Sequence, residues 1–231
     1  MNIVLKKRII ENPFVESFLF EPEKPVPFLA GQYFCLTVPN KGFPDQFGLM
    51  RELSVASSPE DPYIMFTVKK GVTGFKDTLF SLFPGDTATA EGPYGSFFVK
   101  DEEREKKHLF IAGGVGIAPF RSILMSSHYP TQSTLLHALK GPEDALYTAD
   151  LSKIATRIPL HVTYTQSSEK ADFQGKVTRE MLLSLSSPSD TIYWICGSPI
   201  MIRDVSHVLE SLDVVEQNIK TEKFTGYRDM V

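Results

Sequence analysis

The stretch His108–Pro119, which reads His-Leu-Phe-Ile-Ala-Gly-Gly-Val-Gly-Ile-Ala-Pro, carries the strongest signal for the fold of the second half of the chain. An apolar strand comes first, three glycines follow within four positions, and Pro119 suits the first turn of a helix. Glycines between a strand and a helix let the backbone approach a pyrophosphate, and the helix N-terminus adds free N–H groups. The plainer alternative is a tight turn, because Pro119 replaces the third glycine of the usual G-x-G-x-x-G pattern.

Apolar strands alternate with helical segments after this stretch. Phe120, Ile123 and Leu124 have the spacing of one helix face, and Thr178 is a candidate N-cap for another helix. A strand-helix-strand order predicts a parallel sheet, because parallel neighbours need a crossover connection. The predicted strands are Leu109–Ala112, Thr134–Leu139, Leu160–Thr165 and Thr191–Cys196, and a last helix carries Ile202, Val205, Leu209 and Leu212 on one face.

Residues 1–100 have a different pattern, which is typical of an antiparallel barrel or sandwich. Short runs of β-branched and aromatic residues are separated by Gly and Pro; they are Val15–Phe20, Tyr33–Val38, Tyr63–Lys69 and Thr87–Ala90. We interpret the charged stretch Asp101–Lys107 as a solvated linker without chemistry. The predicted fold class is therefore α+β with two domains: an antiparallel β-barrel at 1–100, a linker at 101–107 and a nucleotide-binding α/β domain with a parallel sheet at 108–231.

Composition excludes several classes of function. With a formal net charge of −4, the 231 residues lack the basic surface that nucleic-acid backbones attract. The two cysteines, Cys35 and Cys196, exclude a disulfide framework, a four-cysteine iron–sulfur cluster and a structural zinc site. None of the five histidines has metal-ligand spacing to another, so we predict no metal. No apolar run has the length of a membrane helix or a signal peptide, and we expect a cytoplasmic protein without membrane insertion.

Two other segments are candidates for chemistry. Cys196-Gly-Ser-Pro199 ends the last predicted parallel strand, at the sheet edge where open α/β folds bind ligands. Cys196 is either a small buried core residue or part of a redox site. Arg51-Glu-Leu-Ser-Val-Ala-Ser57 reads as a strand with alternating side chains. Arg51 is either a phosphate ligand or a surface residue of a barrel strand.

Taken in order, the segments resemble the ferredoxin-NADP(+) reductase superfamily. That family has Arg-x-Tyr-Ser-x-x-Ser in a flavin-binding barrel, then Gly-Pro-aromatic-Gly, Gly-Gly-x-Gly-x-x-Pro, Cys-Gly-x-Pro and an aromatic carboxyl terminus. Each motif alone is weak, but five in the same order make a specific signal that covers roughly residues 5–227. Here they are Arg51–Ser57, Gly92–Gly95, Gly113–Pro119, Cys196–Pro199 and Glu222–Tyr227.

The resemblance implies roles for individual residues. Arg51 would hold a flavin phosphate, Ser54 would address the isoalloxazine near N5, and Cys196 would lie beside the nicotinamide. Gly31-Gln32-Tyr33 would shape the barrel beneath the flavin. The candidate catalytic residues are Ser54, Cys196 and Glu222. The candidate cofactor-binding residues are Arg51, Leu53, Ser54, Ser57, Lys69, Thr73 and Gly74 for the flavin, and Gly113, Gly114, Gly116, Pro119, Cys196 and Gly197 for the nucleotide, with Phe224 and Tyr227 in the carboxyl-terminal segment.

The chain departs from the family at Leu53, where relatives usually have Tyr. The stacking and hydroxyl contact of that tyrosine with the flavin are therefore missing or come from another residue. At the carboxyl end two interpretations stay open. Glu222, Phe224 and Tyr227 either fold back towards the flavin or nucleotide, or form a final strand with an aromatic packing residue.

The function implied by the resemblance is hydride transfer between NAD(P)H and a bound flavin, with electrons passed on to an acceptor. FAD is expected rather than FMN, because the family usually binds FAD. Candidate acceptors are a ferredoxin, a flavodoxin, a haem protein, an oxygenase component or a small molecule. The segment Tyr164–Lys170 has no arginine for a 2′-phosphate and favours NADH, whereas Lys170 and Arg179 leave NADPH open. The alternative is a non-turnover electron-transfer subunit or redox sensor of a larger complex.

Overall fold

The computed structural model describes residues 1–223. They form two compact units: Met1–Phe98 with Arg121–Ser127, and Val99–Phe120 with the described residues from His128 onward. Phe224 and Tyr227, two of the predicted cofactor-binding residues, lie outside the described residues. Within 1–223 no helix has the length and apolar character needed to cross a membrane, and no group of three His, Cys, Asp or Glu side chains is suited to a metal ion.

The first unit is an antiparallel barrel. Its strands are β1 (Asn2–Asn12), β2 (Val15–Pro22), β3 (Tyr33–Thr37), β4 (Met50–Ser54), β5 (Ile64–Lys69) and β6 (Thr87–Tyr94). They form one sheet in the order β4-β3-β6-β1-β2-β5. A bridge between Val55 and Phe66 and a 2.8 Å hydrogen bond from the Ala56 amide to the Met65 carbonyl join the two ends of this order, so the sheet closes on itself. Buried Phe, Leu, Ile and Val side chains fill the interior.

One helix, α1 (Gly74–Phe80), belongs to the barrel unit. Thr73 is its N-cap, and the Thr73 hydroxyl accepts a 3.3 Å hydrogen bond from the Lys76 amide. Phe75 and Leu79, four residues apart on one helix face, are buried in the barrel core. Capping and burial of this face together explain why so short a segment is helical.

The second unit has a parallel sheet. Its strands are β7 (Lys107–Gly113), β8 (Ser133–Leu139), β9 (Leu160–Tyr164), β10 (Phe173–Gln174), β11 (Thr191–Gly197) and β12 (Ile219–Lys223), in the order β10-β9-β8-β7-β11-β12. All neighbouring pairs are parallel. The helices of this unit are α3 (Thr148–Ala155), α4 (Arg179–Leu185) and α5 (Pro199–Glu210). Helix α2 (Ala118–Met125) begins in the second unit, and its residues from Arg121 onward belong to the first.

Both faces of the parallel sheet are covered. On one face, Ile111 and Ile195 pack with Ile202 and Leu209 of α5. On the other, the ring of Phe110 lies 5.1 Å from that of Phe120 and 6.0 Å from that of Trp194. Strands buried on both faces are largely apolar runs, which is why the sequence predicts β7, β8 and β11 so closely. Strand β9, which the sequence also predicts, is mostly half-buried. The predicted fold class, an antiparallel barrel followed by a parallel α/β unit, is confirmed.

The interpretation of Asp101–Lys107 as a solvated linker is wrong for Glu103. Residues Asp101–Glu103 form a 3-10 turn, and Glu103 is buried. Its carboxylate lies 3.4 Å from Lys220 Nζ, and its carbonyl oxygen is 2.9 Å from His108 Nε2. A charged residue is buried here because a cation and a histidine ring are both within reach, which a charge pattern cannot show.

Candidate functional site

The glycine-rich loop and the Cys-Gly-Ser-Pro segment lie side by side in the second unit. Strand β7 ends at Gly113 and strand β11 at Gly197, and Ala112 pairs with Cys196 in the parallel register. A Cβ atom placed on Gly197 would lie 3.3 Å from the Cα of Gly113. Two motifs separated by about eighty residues in the chain therefore share one edge of the sheet.

Gly116 lies at the closest approach between the two segments. A Cβ atom at this position would overlap the carbonyl oxygen of Cys196 and would lie 2.6 Å from the Cys196 carbonyl carbon and 2.9 Å from the Gly197 amide nitrogen. These are strand backbone atoms, which cannot rotate away as a side chain can. Glycine is therefore required at 116 for the turn Gly114–Ile117 to pack against β11.

The position of this edge in the sheet has a functional meaning. From β7 the strand order runs through β8, β9 and β10 on one side and through β11 and β12 on the other. The carboxyl ends of β7 and β11 thus lie at the switch point of the sheet, where open α/β folds bind their ligands. Helix α5 starts there, with the Ser198 hydroxyl accepting a 3.3 Å hydrogen bond from the Met201 amide. Pro119 is buried in the first turn of α2.

Cys196 is a fully buried residue of β11. It pairs with Glu222 of β12, so the described part of the carboxyl-terminal segment is a strand. Burial raises the pKa of the Cys196 thiol well above its usual value, and the charge of Glu222 adds to this effect. The side chain is therefore a protonated thiol at neutral pH and not a thiolate nucleophile.

His137 is a supporting residue that the sequence interpretation passed over as structural or exposed. It is 1% exposed in β8, and its Nε2 lies 3.0 Å from the carbonyl oxygen of Gly114. Burial lowers the pKa of His137 to about 4, although the hydrogen bond to Gly114 acts in the opposite direction. The ring is neutral at pH 7 and donates its Nε2 proton, since a carbonyl can only accept. The position of this histidine within the apolar run Thr134–Leu139 was the sequence signal that its ring is buried and needs a hydrogen-bond partner.

Replacing His137 by Leu is expected to weaken NADH binding about fivefold, because loss of one net hydrogen bond of about 1 kcal/mol leaves the Gly114 carbonyl unsupported. Titration calorimetry with NADH measures this, and His137→Gln, which keeps an N–H donor, should recover part of the loss. NADH affinity that is unchanged in His137→Leu would show that the loop holds its shape without this bond.

The same substitution is expected to alter the pH dependence of stability. Folded His137 has a pKa of about 4 against an ordinary value of 6.5, so the unfolded chain takes up the proton first as pH falls. The wild-type free energy of unfolding therefore decreases between about pH 6.5 and about pH 4, and His137→Leu should lack this component. Urea unfolding across this range checks it, with the exposed His207→Leu as the matched control.

In the first unit, three of the predicted motifs meet in one row of the sheet. Tyr33 of β3 pairs with Ser54 of β4 on one side and with Tyr94 of β6 on the other. The Tyr33 and Tyr94 rings are 5.8 Å apart, and Ser54 is 6% exposed. The Gln32 carbonyl accepts a 3.0 Å hydrogen bond from the Val55 amide. The barrel thus brings together the Gly-Gln-Tyr, Arg-to-Ser and Gly-Pro-Tyr-Gly segments.

The end of the Arg-to-Ser segment is held by other parts of the chain. Ser57 Oγ accepts a 3.0 Å hydrogen bond from the Met65 amide, and the Ser57 carbonyl accepts one of 2.6 Å from Ser122 Oγ. The guanidinium of Arg121, which is 6% exposed, donates to the Ala56 carbonyl at 2.5 Å. Ser57 therefore links β5 and α2 through hydrogen bonds within the barrel unit. The hydrogen-bond partners from α2 are not indicated by any local sequence pattern.

The remaining predicted flavin residues lie at several places on the barrel unit. Leu53 is half-buried and packs against the apolar core. Lys69 is exposed at the end of β5, whereas Thr73 caps α1 and Gly74 is buried at the start of that helix. Arg51 contacts the loop that precedes it, and its guanidinium is largely covered. The structure therefore brings Arg51, Thr73 and Gly74 to the region around the start of α1.

Comparison with known proteins supports both the NAD-binding unit and the two-unit fold. Residues 110–207 match the family described as the oxidoreductase NAD-binding domain. The FAD/NAD-binding domain of a nitric oxide dioxygenase from Vibrio cholerae aligns with a TM-score of 0.84 at 21% identity, covering 96% of this chain and 98% of that one. A ferredoxin NADP+ reductase from Neisseria gonorrhoeae aligns with a TM-score of 0.78, also at 21% identity and with coverage of 96% and 98%. The chain therefore has the fold of these two solved structures, and its residues 110–207 match the NAD-binding family.

The family match of residues 110–207 and the shared fold confirm the resemblance that the motifs predict. A curated relative, one component of the Na(+)-translocating NADH-quinone reductase of Neisseria gonorrhoeae, is 29% identical over 203 residues. That alignment covers 77% of this chain and 50% of the relative. The chain thus matches about half the length of this relative.

Proposed function

We propose that this chain is an NAD(P)H-dependent flavoprotein reductase that binds FAD in its barrel unit and a nicotinamide dinucleotide in its α/β unit. The names of two similar structures mention FAD with NAD in one case and FAD with NADP in the other. When bound, the flavin would take a hydride from the nicotinamide and release two electrons to an acceptor, together or one at a time. The acceptor is proposed to be a redox protein or a small molecule.

The observation that carries this proposal is the junction of Gly113–Gly116 with Cys196–Gly197 at the switch point between β7 and β11. The loop has no bulky side chain at Gly113, Gly114 or Gly116, so the backbone is open to a pyrophosphate. His137 supports the loop from beneath through the Gly114 carbonyl. The proposed role of Cys196 and Gly197 is to form a small wall beside the nicotinamide.

In the barrel unit, the proposed flavin residues combine a cation with neutral polar groups. Arg51 is the proposed phosphate ligand, because a guanidinium can bind phosphate oxygens through two parallel N–H groups. Ser54 is the proposed hydrogen-bonding partner of the flavin ring, and its pairing with Tyr33 and the neighbouring Tyr94 gives an aromatic surrounding. Lys69, Thr73 and Gly74 are proposed to lie near the phosphates.

NADH is the proposed nucleotide. Arg179, one of the two cations that leave NADPH open, donates a 2.7 Å hydrogen bond to the Ser211 carbonyl and contacts the Ser211 hydroxyl at 3.3 Å. A cation held in this way is a poor candidate for the 2′-phosphate of NADPH. Lys170 is exposed, and a lysine alone lacks the bidentate geometry of arginine.

The proposed function is tested with the purified protein. We expect a yellow protein whose flavin absorbance bleaches on anaerobic addition of NADH and returns when an artificial acceptor is added. Bleaching at a lower concentration of NADH than of NADPH would support the proposed nucleotide. A colourless protein that binds neither FAD nor FMN would contradict the proposal.

A second candidate function is a non-turnover electron-transfer subunit or redox sensor. Leu53 favours it, because a half-buried aliphatic residue stands where the family that the motifs resemble usually has Tyr, and it can supply neither ring stacking nor a hydroxyl. Flavin binding without bleaching by either nucleotide would support this candidate over the free-standing reductase.

Cys196→Ser is expected to slow anaerobic flavin reduction by NADH about tenfold, equivalent to about 1.4 kcal/mol of barrier, with flavin content unchanged. The physical reason is that a smaller, more polar hydroxyl replaces the buried thiol beside the proposed nicotinamide position. Stopped-flow absorbance measures the rate. Unchanged reduction kinetics would show that Cys196 is only a packing residue of the core, without a role in flavin reduction.

A further inference from the structure

The guanidinium of Arg51 is bound to the loop that precedes it. Nη2 lies 2.7 Å from Asp45 Oδ2, and Nη1 lies 2.8 Å from the Gly48 carbonyl oxygen and 2.5 Å from that of Met50. The guanidinium also lies over the ring of Phe75, at 5.2 Å from its centroid. The Arg51 side chain is 16% exposed, so most of it is turned towards the protein.

Asp45 is the anion of this arrangement. Its side chain is 2% exposed, and its oxygens accept hydrogen bonds of 2.8 Å from the Phe75 amide and 2.9 Å from the Phe47 amide in addition to the Arg51 contact. Burial acts to raise the pKa of Asp45, but these amides and Arg51 outweigh it and hold the pKa below its usual value. Asp45 is therefore a carboxylate at neutral pH, with three donors directed at it.

The loop around Asp45, residues 43–48, lies directly against the start of α1. A Cβ atom on Gly74 would overlap the carbonyl oxygen of Pro44 and would lie 2.7 Å from that of Phe43. This contact requires a residue without a side chain at 74. Arg51, Phe75 and Gly74 all contact this loop, so two residues that the sequence assigns to the flavin phosphates, Arg51 and Gly74, are in contact with the chain's own Asp45 segment.

Lys76 lies near both Arg51 and Lys69. Burial lowers the pKa of Lys76, and the charges of Lys69 and Arg51 lower it further, so the three cations are close enough to influence one another. Such a group of cations attracts an anion, and the Asp45 carboxylate, like a phosphate group, offers negative charge and oxygen acceptors to the guanidinium. A carboxylate and a phosphate on one guanidinium repel each other and compete for the same N–H donors.

We propose that Asp45 is an internal anion that competes with the flavin phosphate for Arg51, and so determines how strongly the protein prefers phosphorylated flavins to riboflavin. This inference rests on the proposed function, in which Arg51 binds that phosphate. Phosphate binding would exchange the Asp45–Arg51 contact for a phosphate–Arg51 contact, while riboflavin, which has no phosphate, would leave the ion pair in place.

The test compares riboflavin, FMN and FAD binding to wild type and to Asp45→Asn by fluorescence titration. Asparagine has nearly the same shape and keeps one oxygen, which can accept from either the Phe47 or the Phe75 amide, but it lacks the charge that pairs with Arg51. We expect FMN and FAD to bind about tenfold more tightly to Asp45→Asn, the effect of one charge-assisted hydrogen bond, and riboflavin affinity to change less than about twofold.

Asp86→Asn is the matched control. Asp86 also lies in the barrel unit, and its carboxylate contacts one cation and one backbone amide. It lies 2.8 Å from Lys41 Nζ and accepts a 3.0 Å hydrogen bond from the Phe83 amide. We expect this variant to bind all three flavins as wild type does. The double variant Arg51→Met/Asp45→Asn should bind FMN no more tightly than Arg51→Met alone. Asp45 can compete with the phosphate only where the Arg51 guanidinium is present.

Weaker or unchanged FMN binding by Asp45→Asn would overturn the inference and would make Asp45 a support that orients Arg51. Circular dichroism verifies that Asp45→Asn is folded. If Asp45→Asn does not fold, the comparison is repeated with Asp45→Ser, which is also neutral. Riboflavin binding with no gain for FMN would refute the role of Asp45 but leave flavin binding intact. Binding of no flavin by either wild type or Asp45→Asn would refute the proposed function and this inference together.

Discussion

Gly116→Ala is expected to abolish detectable NADH binding and to lower the free energy of unfolding of the second unit by about 2–4 kcal/mol. The added methyl group would overlap the carbonyl oxygen of Cys196, and its other near neighbours are also backbone atoms of β11. Because β11 is hydrogen-bonded between β7 and β12, relief of the overlap has to move the glycine loop away from the position proposed to bind the pyrophosphate. Urea unfolding and calorimetric titration with NADH measure the two effects.

Gly113→Ala provides a graded comparison in the same loop. A methyl group there would meet the sulfur of Met201, which ends a flexible side chain, and the Cα of Gly197 would be 3.5 Å away. We expect a stability loss of about 1 kcal/mol, because methionine can change rotamer at small cost. Equal losses in the two variants would contradict the assignment of Gly116 to a close backbone contact.

Arg51→Met is expected to weaken FMN and FAD binding at least about thirtyfold and to destabilise the barrel unit by about 3 kcal/mol. The binding loss follows from the missing charge-assisted phosphate contact. The stability loss follows because Asp45, with a 2% exposed side chain, would keep its charge without its cation. Fluorescence titration measures the first effect and thermal unfolding in the absence of flavin measures the second.

The double variant Arg51→Met/Asp45→Asn separates these effects. It removes both charges, so stability should return to within about 1 kcal/mol of wild type while FMN affinity stays low. Arg51→Lys keeps the charge but not the bidentate geometry and should fall between wild type and Arg51→Met. Full retention of FMN by Arg51→Met would contradict the assignment of Arg51 to the phosphate.

The central strands of the second unit were predictable to within a residue or two because they are buried on both faces. Each of the strands β7, β8 and β11 is a largely apolar run with clear ends, and Pro119, Thr178 and Pro199 stand at the first turn or the N-cap of their helices. These signals are local, so they can be recognised in the sequence without knowledge of the tertiary contacts. Strand β10 is only two residues long and has no such signal.

The barrel unit was less predictable. Strand β1 contains Lys6, Lys7 and Arg8, and its pairing with β2 shifts register between Leu5 and Lys7, so the alternation of apolar and polar side chains that marks a strand is interrupted. Helix α1 is seven residues long and starts at a glycine, which removes the usual periodic signal. The Arg-to-Ser segment was predicted as one strand, but β4 ends at Ser54 and the residues after it turn to contact β5 and α2.

The sequence by itself determined the two fold types, the central strands of the parallel sheet and the motifs at the ends of β7 and β11, because turns, caps and apolar periodicity depend on neighbouring residues in the chain. The tertiary structure decided which polar groups are buried together. His137 and Gly114 are 23 residues apart, and Asp45 and Arg51 only six, yet neither pair has a sequence pattern. Burial makes these contacts strong, since a polar group removed from water needs a partner, and burial is a property of the folded chain.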